Sequence, residues 1–162
     1  MKMLIIGYGR LGSMVGEIAE AYGMTVLATD DIDTVGYLSG IDIVTIHADL
    51  NPSSEGLIDR KFLSKMKSTA FLVNTARAEI VNKNDLIYAL EQGWIAGYAA
   101  DVYWNEFTTR PSFISNDIGK SFRGLNTLFT PHIGGSLLSH WERTEHFIIN
   151  KAYTVIQERM NK

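Results

Sequence analysis

The feature that most constrains this chain is a glycine-rich hexapeptide, GYGRLG, which directly follows a short apolar run at Met3–Ile6. An amphipathic segment, Leu11–Tyr22, comes next, so the glycines lie between a predicted strand and a predicted helix. In the spacing Gly-x-Gly-x-x-Gly, Gly7 allows a tight turn, Gly9 lets the backbone approach a pyrophosphate, and Gly12 lets the helix pack closely on the sheet. On its own, the pattern is equally compatible with an ordinary turn.

An acidic residue after the second apolar run favours the phosphate interpretation. The run Thr25–Thr29 is followed by Asp30, 18 residues after Gly12. A carboxylate at this place accepts hydrogen bonds from a ribose 2′-hydroxyl and repels a 2′-phosphate, which favours NAD over NADP. The N-terminus of the helix offers N–H groups and a positive dipole end to the phosphates. Asp31 is an alternative for the same role, and a carboxylate that only caps the loop is the structural alternative.

Short apolar runs alternate with amphipathic stretches, a pattern typical of a parallel sheet covered by helices. Several runs are apolar at consecutive residues, as strands buried on both faces should be. The sequence therefore predicts an α/β fold, a Rossmann-type doubly wound parallel sheet in a single three-layer domain spanning residues 1–162. The predicted strands are Met3–Ile6, Thr25–Thr29, Ile41–His47, Ala70–Asn74, Ile95–Asp101 and Thr127–Thr130. The predicted helices are Leu11–Tyr22, Asp59–Met66, Lys83–Gln92 and Ser136 to about Met160, and Asp30–Gly40 and Tyr103–Asn126 are expected to be irregular.

Composition narrows the classes of function. A net charge of −3 gives no electrostatic reason to bind nucleic acid or an anionic membrane. The absence of cysteine excludes thiolate metal sites and fits a reducing cytosol, and we find no tight pattern of histidine and carboxylate that indicates a metal. No apolar run approaches the roughly 20 residues that a membrane span needs. We therefore expect a cytoplasmic protein with a small-molecule partner.

Three groups of polar residues follow later predicted strands. Arg77 ends VNTAR, Asp101 and Glu106 lie in ADVYWNE, and His132 lies in TPHIGGS. The carboxyl ends of parallel strands meet at one edge of the sheet, where α/β proteins bind ligands. An arginine can hold a carboxylate bidentately, and a histidine with a glutamate can exchange protons, so this edge is a candidate acid–base site. A surface ion pair for Arg77 and a structural role for His132 are the alternatives. His47 is equally compatible with a cofactor contact and a structural hydrogen bond.

Taken together, these motifs resemble the cofactor-binding domain of the D-isomer-specific 2-hydroxyacid dehydrogenases. The matching stretches are GYGRLG, the block from His47 through NPSSEGLID and FLVNTARAEIVNKNDLIYALEQGWIAGYAADVYWNE, and TPHIGGS, which cover nearly the whole chain in the right order. The resemblance implies NAD as cofactor, a 2-hydroxy or 2-keto acid as substrate, and a homodimer.

The resemblance also implies roles for individual residues. Arg77 matches the family's substrate-orienting arginine, Glu106 its catalytic glutamate and His132 its acid–base histidine. Asp101 matches a residue that contacts the nicotinamide amide. The residues expected to bind the cofactor are Gly7, Gly9, Arg10, Leu11, Gly12, Asp30, Thr75, Ala76, Asp101 and Gly134.

The sequence departs from the family's pattern in several places. Ala78 replaces the glycine usual after the arginine, Phe107 the proline usual after the glutamate, and Asp49 a proline near the cofactor site. The connection from Asp30 to the Ile41 strand is short for the family, and the family's substrate-binding domain has no counterpart in this chain. We therefore expect poor catalysis by the isolated chain, since an open site is wet and does not position substrate.

Three hypotheses follow. The leading one is an NAD-dependent oxidoreductase domain of the D-2-hydroxyacid dehydrogenase type. The main alternative is a non-catalytic NAD(H)-binding or regulatory module that controls a protein partner. A purely structural fragment that no longer binds cofactor is the third.

Overall fold

The computed structural model describes residues 1–30, 38–106 and 118–135. One compact unit comprises Met1–Pro131, and His132 begins a second unit, of which residues 132–135 are described. The predicted helix from Ser136 lies outside the described residues. Within these ranges, no helix is long and apolar enough to cross a membrane.

Six parallel strands form one sheet in the order β2-β1-β3-β4-β5-β6. The strands are β1 (Lys2–Ile6), β2 (Thr25–Thr29), β3 (Ile43–Ile46), β4 (Phe71–Asn74), β5 (Gly97–Ala100) and β6 (Thr127–Phe129). The chain places β2 on one side of β1 and every later strand on the other side. This reversal creates a switch point between the carboxyl ends of β1 and β3, where doubly wound sheets bind ligands. The predicted Rossmann-type fold is confirmed.

Among the described residues, the helices that cover the sheet are α1 (Arg10–Ala21), α2 (Arg60–Leu63) and α3 (Lys83–Glu91), and single 3₁₀ turns lie at Leu38–Gly40 and Ala78–Ile80. The carboxylate of Asp59 caps α2 by accepting the Phe62 N–H at 2.8 Å. The side-chain oxygen of Asn82 caps α3 by accepting the Asp85 N–H at 3.2 Å. By contrast, α1 begins after Gly9 without a side-chain cap, so the N–H groups of its first turn have no side-chain acceptor at the cap position.

The two faces of β1 build two separate cores. Leu4 and Ile6 join the larger core, together with side chains of β3, β4, β5, α2 and α3. Met3 and Ile5 point the other way and pack with Ala19 beneath α1. Successive side chains of a strand face opposite sides of the sheet, so a run of four apolar residues needs cover on both sides. That requirement explains why helices lie on both faces.

Several predicted boundaries are wrong, since β3 and β5 are both shorter than the predicted Ile41–His47 and Ile95–Asp101, and two further differences have a physical reason. The second helix ends at Leu63 rather than Met66, because the N–H groups of Lys65 and Met66 bond to carbonyls only three residues back and the helix tightens. In the segment expected to be irregular, residues 118–121 form a helical turn that brings Ile118 and Phe122 into the larger core. Four residues are too few for helical periodicity to be visible in sequence.

Candidate functional site

The three glycines after β1 have different surroundings, so glycine serves a different purpose at each position. Gly7 has a φ of 91°, and a Cβ there would lie 2.4 Å from the backbone nitrogen of Ala48. A Cβ on Gly12 would lie 2.1 Å from the carbonyl oxygen of Gly7. A Cβ on Gly9 would meet nothing within 4 Å. The fold therefore requires glycine at two positions, whereas Gly9 leaves open space above the backbone that a ligand can use.

A cleft of about 800 Å³ opens at the switch point beside these glycines. Its walls come from the glycine turn, from the end of β2, and from the segment after β3. They comprise Ile6, Gly7, Tyr8, Gly9, Arg10, Leu11, Asp30, His47, Ala48, Asp49, Asn51, Ser53, Ser54 and Leu57. The uncapped start of α1 belongs to this wall, so an anion there would meet free N–H groups and a positive dipole end.

Asp30 connects the end of β2 to the glycine turn. Its Oδ1 accepts the backbone N–H of Tyr8 at 2.9 Å, and the N–H of Gly7 donates to the Thr29 carbonyl at 2.9 Å. The structural alternative, a carboxylate that holds a loop, is therefore part of what Asp30 does. A carboxylate has about four acceptor positions, so this bond is compatible with a ribose hydroxyl as a further donor. Asp31 lies outside the described residues.

A second cleft of about 360 Å³ lies along the same edge of the sheet. It is lined by Leu11, His47, Ala48, Asp49, Leu50, Thr75, Ala76 and Arg77. Leu11 and the three residues after β3 line both clefts, so the two are neighbours. The structure thus brings the residues after β4 next to the glycine turn, as the sequence predicted.

Arg77 presents its charge to solvent at the second cleft. Its Nη1 donates to the carbonyl oxygen of Ala76 at 2.7 Å, and within the described part of the chain it has no carboxylate partner. The surface ion pair considered as an alternative is therefore not formed with any described residue. A guanidinium has five N–H donors, so most of them remain for an anionic ligand.

His47 lies where the two clefts meet. Its backbone N–H donates to the Ile6 carbonyl at 2.7 Å, and its Nε2 lies 3.0 Å from the hydroxyl oxygen of Thr45. Burial of the half-buried ring lowers its pKa from the ordinary value of 6.5, so the ring is neutral at pH 7. The structural hydrogen bond that the sequence offered as one alternative is formed, and the cofactor contact stays a prediction.

Asp101 and Glu106 line neither of these two clefts. Asp101 is buried, and its Oδ1 accepts the Thr130 hydroxyl at 2.5 Å. Glu106 closes a turn by accepting the backbone N–H of Tyr103 at 3.2 Å, and the Tyr103 hydroxyl donates to the Thr130 carbonyl. Burial, together with the carboxylates of Asp101 and Glu106, raises the pKa of Tyr103. The strand ends of β5 and β6 are thereby tied together at the same edge of the sheet.

His132 and Gly134 belong to the second compact unit and are exposed. His132 has a φ of 52°, in the left-handed region that few residues other than glycine adopt. A strained backbone is often retained where it directs a side chain to a site. The pairing of His132 with Glu106 and Arg77 stays a prediction.

Sequence reasoning placed His47 and Asp49 near the site but did not assign Asn51, Ser53 or Ser54 to it. Asn51 Oδ1 accepts the N–H groups of Ser53 and Ser54 at 2.9 and 3.2 Å, and the Ser54 hydroxyl donates to the Asp49 carbonyl at 2.6 Å. These bonds fold the segment into a compact wall of the first cleft. The cluster Asn-Pro-Ser-Ser directly after a predicted strand was the available indication, since these residues favour side-chain-supported turns. Among the residues that the structure describes, no group of three or more metal-ligating side chains occurs.

A parallel sheet with a glycine turn at its switch point and an acidic residue ending β2 defines a Rossmann-type dinucleotide-binding domain. Residues 1–134 match the sequence model of the NAD-binding domain of D-isomer-specific 2-hydroxyacid dehydrogenases. The chain belongs to this family and is an NAD-binding domain of it.

Individual relatives agree with this assignment. A protein of Staphylococcus epidermidis named as a 2-hydroxyacid dehydrogenase is 39% identical, over 82% of this chain and 44% of its own length. A similarly named protein of Staphylococcus aureus is 35% identical, over 94% of this chain and 50% of its own length. The chain therefore spans about half the length of these relatives.

Solved structures show the same similarity. The NAD-complexed D-isomer-specific 2-hydroxyacid dehydrogenase of Lactobacillus delbrueckii ssp. bulgaricus superposes with a TM-score of 0.84 at 32% identity, over 98% of this chain and 53% of that one. The NAD-dependent formate dehydrogenase of Staphylococcus aureus, solved with NAD, gives a TM-score of 0.77 at 28% identity, over 97% of this chain and 49% of that one.

Proposed function

We propose that this chain supplies the NAD site and the reacting side chains of an oxidoreductase that interconverts a 2-hydroxy acid and a 2-keto acid. The observation that carries the proposal is the adjacency of the two clefts. An arginine without a carboxylate partner among the described residues lines the second cleft, directly beside the one that the glycine turn forms. A 2-keto acid offers a carboxylate and a carbonyl, which are the groups that a guanidinium binds.

The first cleft fits a dinucleotide. The open space above Gly9 and the uncapped start of α1 would receive the pyrophosphate, with Arg10 as a nearby cation. Asp30 would accept a ribose hydroxyl, and Leu11 with Ala76 would line the path towards the second cleft. NAD bound here would supply the hydride chemistry, at C4 of its nicotinamide.

The protein's own residues would hold the substrate and move the proton. Arg77 would bind the carboxylate or polarise the carbonyl of a 2-keto acid. His132 would give a proton to the carbonyl oxygen as a hydride reaches C2, and in the reverse direction it would take the hydroxyl proton. Glu106 would accept a hydrogen bond from the imidazole of His132, and this bond would favour the protonated form of the imidazole. Asp101 and Gly134 would contact the cofactor near the reacting ring.

Titration with NADH, followed by assay with a panel of 2-keto acids, tests the proposal. We expect NADH to bind, and we expect Arg77→Ala to reduce kcat/KM for the keto acid by about a hundredfold or more with NADH affinity unchanged. Arg60→Ala is the matched control, because Arg60 pairs with Asp85 and lines neither cleft. Binding without turnover would favour the regulatory alternative, whereas no NADH binding would contradict both.

The proposal also includes a homodimer in the cytoplasm. Four large apolar side chains along one face of α1 and its C-cap are exposed, namely Leu11, Met14 and Ile18 in the helix and Tyr22 directly after it. Their spacing of three, four and four residues forms one stripe along the helix. A stripe that pairs with its own copy across a two-fold axis would remove this surface from water.

A further inference from the structure

Asn74 is a polar side chain that the function described above does not use, although it is fully buried at the carboxyl end of β4. Its Oδ1 accepts the N–H of Ala76 at 3.0 Å. Its Nδ2 donates to the carbonyl oxygen of Arg77 at 2.9 Å. One amide group therefore bonds to the N–H of Ala76 and to the carbonyl of Arg77, two consecutive residues that line the second cleft.

The two hydrogen bonds fix the orientation of the amide. If the group were rotated by half a turn, the NH₂ would face the N–H of Ala76, and the oxygen would face the Arg77 carbonyl. A donor would then face a donor and an acceptor would face an acceptor, so both hydrogen bonds would be lost. Only an amide offers one acceptor and one donor in this arrangement at any pH. Asn74 is thus specified by the backbone that follows it.

Neighbouring groups support the same short segment. The Arg77 carbonyl also accepts the N–H of Ile80 at 3.3 Å, which joins it to the 3₁₀ turn that follows. The side chain of Tyr98, from the adjacent strand β5, is buried next to Asn74. Its hydroxyl has no hydrogen-bond partner of acceptable geometry in the described part of the chain, so Tyr98 acts here through packing.

We propose that Asn74 is a positioning residue for Arg77: it holds the turn Thr75–Arg77 so that the guanidinium faces the second cleft. This inference rests on the proposed role of Arg77 in binding a keto acid. A buried amide with both ends bonded sets the backbone from which the exposed side chain extends. Without it, the guanidinium keeps its charge but samples more orientations, so substrate binding weakens and cofactor binding does not.

Amide hydrogen exchange of the chain tests the structural part without any assay of activity. The Ala76 N–H should exchange about tenfold faster in Asn74→Ala, because its acceptor is gone. In Asn74→Asp it should stay protected, because a carboxylate oxygen replaces the lost acceptor. Asn82→Ala is the matched control, since Asn82 also accepts a backbone N–H but lies outside both clefts. Unchanged exchange at Ala76 in Asn74→Ala would overturn the proposal.

Kinetics with NADH and pyruvate as the keto-acid probe test the functional part. We expect Asn74→Ala to raise KM for pyruvate about tenfold relative to Asn82→Ala, with NADH affinity within about twofold. Asn74→Asp adds a pH signature. Its ionised carboxylate faces the Arg77 carbonyl and is repelled, but its protonated form donates to that oxygen. The ratio of its KM to the wild-type KM should therefore fall towards one as the pH is lowered.

The outcomes separate this inference from the proposed function. If Arg77→Ala impairs turnover but Asn74→Ala matches Asn82→Ala, the positioning role is wrong and the proposed function stands. If no keto acid turns over, the proposed function fails, and the exchange at Ala76 still decides whether Asn74 holds the turn. A pH-independent KM ratio for Asn74→Asp would also overturn the inference.

Discussion

At the scale of single residues, the site side chains combine a bond inside the protein with capacity for a ligand. Asp30 holds the glycine turn through Tyr8 yet keeps acceptor capacity in the first cleft. Arg77 uses one donor on its neighbour's carbonyl and has four others. Such internal bonds reduce the number of side-chain conformations, so less conformational entropy is lost when a ligand binds.

The double role of Asp30 can be separated by Asp30→Asn. An asparagine oxygen can still accept the Tyr8 N–H, so the glycine turn should keep its shape, but the negative charge is removed. We expect NADPH to gain about tenfold in affinity relative to NADH, because a 2′-phosphate no longer meets a carboxylate. Calorimetric titration with both cofactors measures this ratio. Asp59→Asn, at the cap of α2, is the control, and an equal ratio in both variants would contradict the role of Asp30.

The lowered pKa of His47 predicts how the stability of the protein depends on pH. Burial lowers its pKa in the folded protein, so the unfolded chain takes up this proton at a higher pH. The contribution of His47 to the free energy of unfolding should therefore be fully present at neutral pH and should be lost as the pH falls below the ordinary value of 6.5. Urea unfolding at about pH 7.5 and about pH 5.5 measures the loss in free energy of unfolding. His47→Gln should reduce the loss, because it removes the group whose pKa is lowered by burial.

At the scale of elements, the strands were predictable because a strand that is buried on both faces is apolar at consecutive residues. Ile5 and Ile6 face opposite cores, and both must be apolar. The short turn at 118–121 has no such pattern. Asn74 was also missed, although it lies inside a quoted motif. Its partners are backbone atoms of its immediate neighbours, and backbone atoms carry no sequence information. The proximity of His132 to Glu106 rests on the family resemblance and stays a prediction.

The glycine turn gives a prediction about elements, because Gly9 and Gly12 should fail in different ways. Gly12→Ala forces α1 away from the turn, since the new Cβ would meet the Gly7 carbonyl, and should cost about 1–3 kcal/mol of stability. For Gly9→Ala, no described atom beyond its chain neighbours lies within 4 Å of the new Cβ. It should therefore cost less stability than Gly12→Ala, only the preference of a helix N-cap for glycine over alanine, and it should weaken NADH binding. Gly40→Ala, also in open space but away from both clefts, is the control. Equal NADH affinity in Gly9→Ala and wild type would contradict the placement of the pyrophosphate.

At the scale of the whole molecule, the chain is an NAD-binding domain and spans about half the length of the relatives it matches. Specificity for one hydroxy acid depends on the surfaces that enclose the substrate. Here the described walls come from one side, with Arg77 exposed at the edge of the sheet. We therefore expect the isolated chain to accept several small 2-keto acids with high KM values.

The exposed face of α1 gives the prediction about assembly. Ile18 lies at the centre of the stripe and is 58% exposed, in a helix whose other face packs on β1 and β2. Light scattering should give twice the 18.1 kDa of one chain. Ile18→Lys should yield monomers with little change in melting temperature at low protein concentration, because it adds a charge to the pairing surface at a side chain that is mostly exposed. Glu17→Gln, one residue away and off the stripe, changes the net charge by the same single unit and is the matched control. If both variants stay dimeric, or wild type is a monomer, α1 does not pair with its own copy.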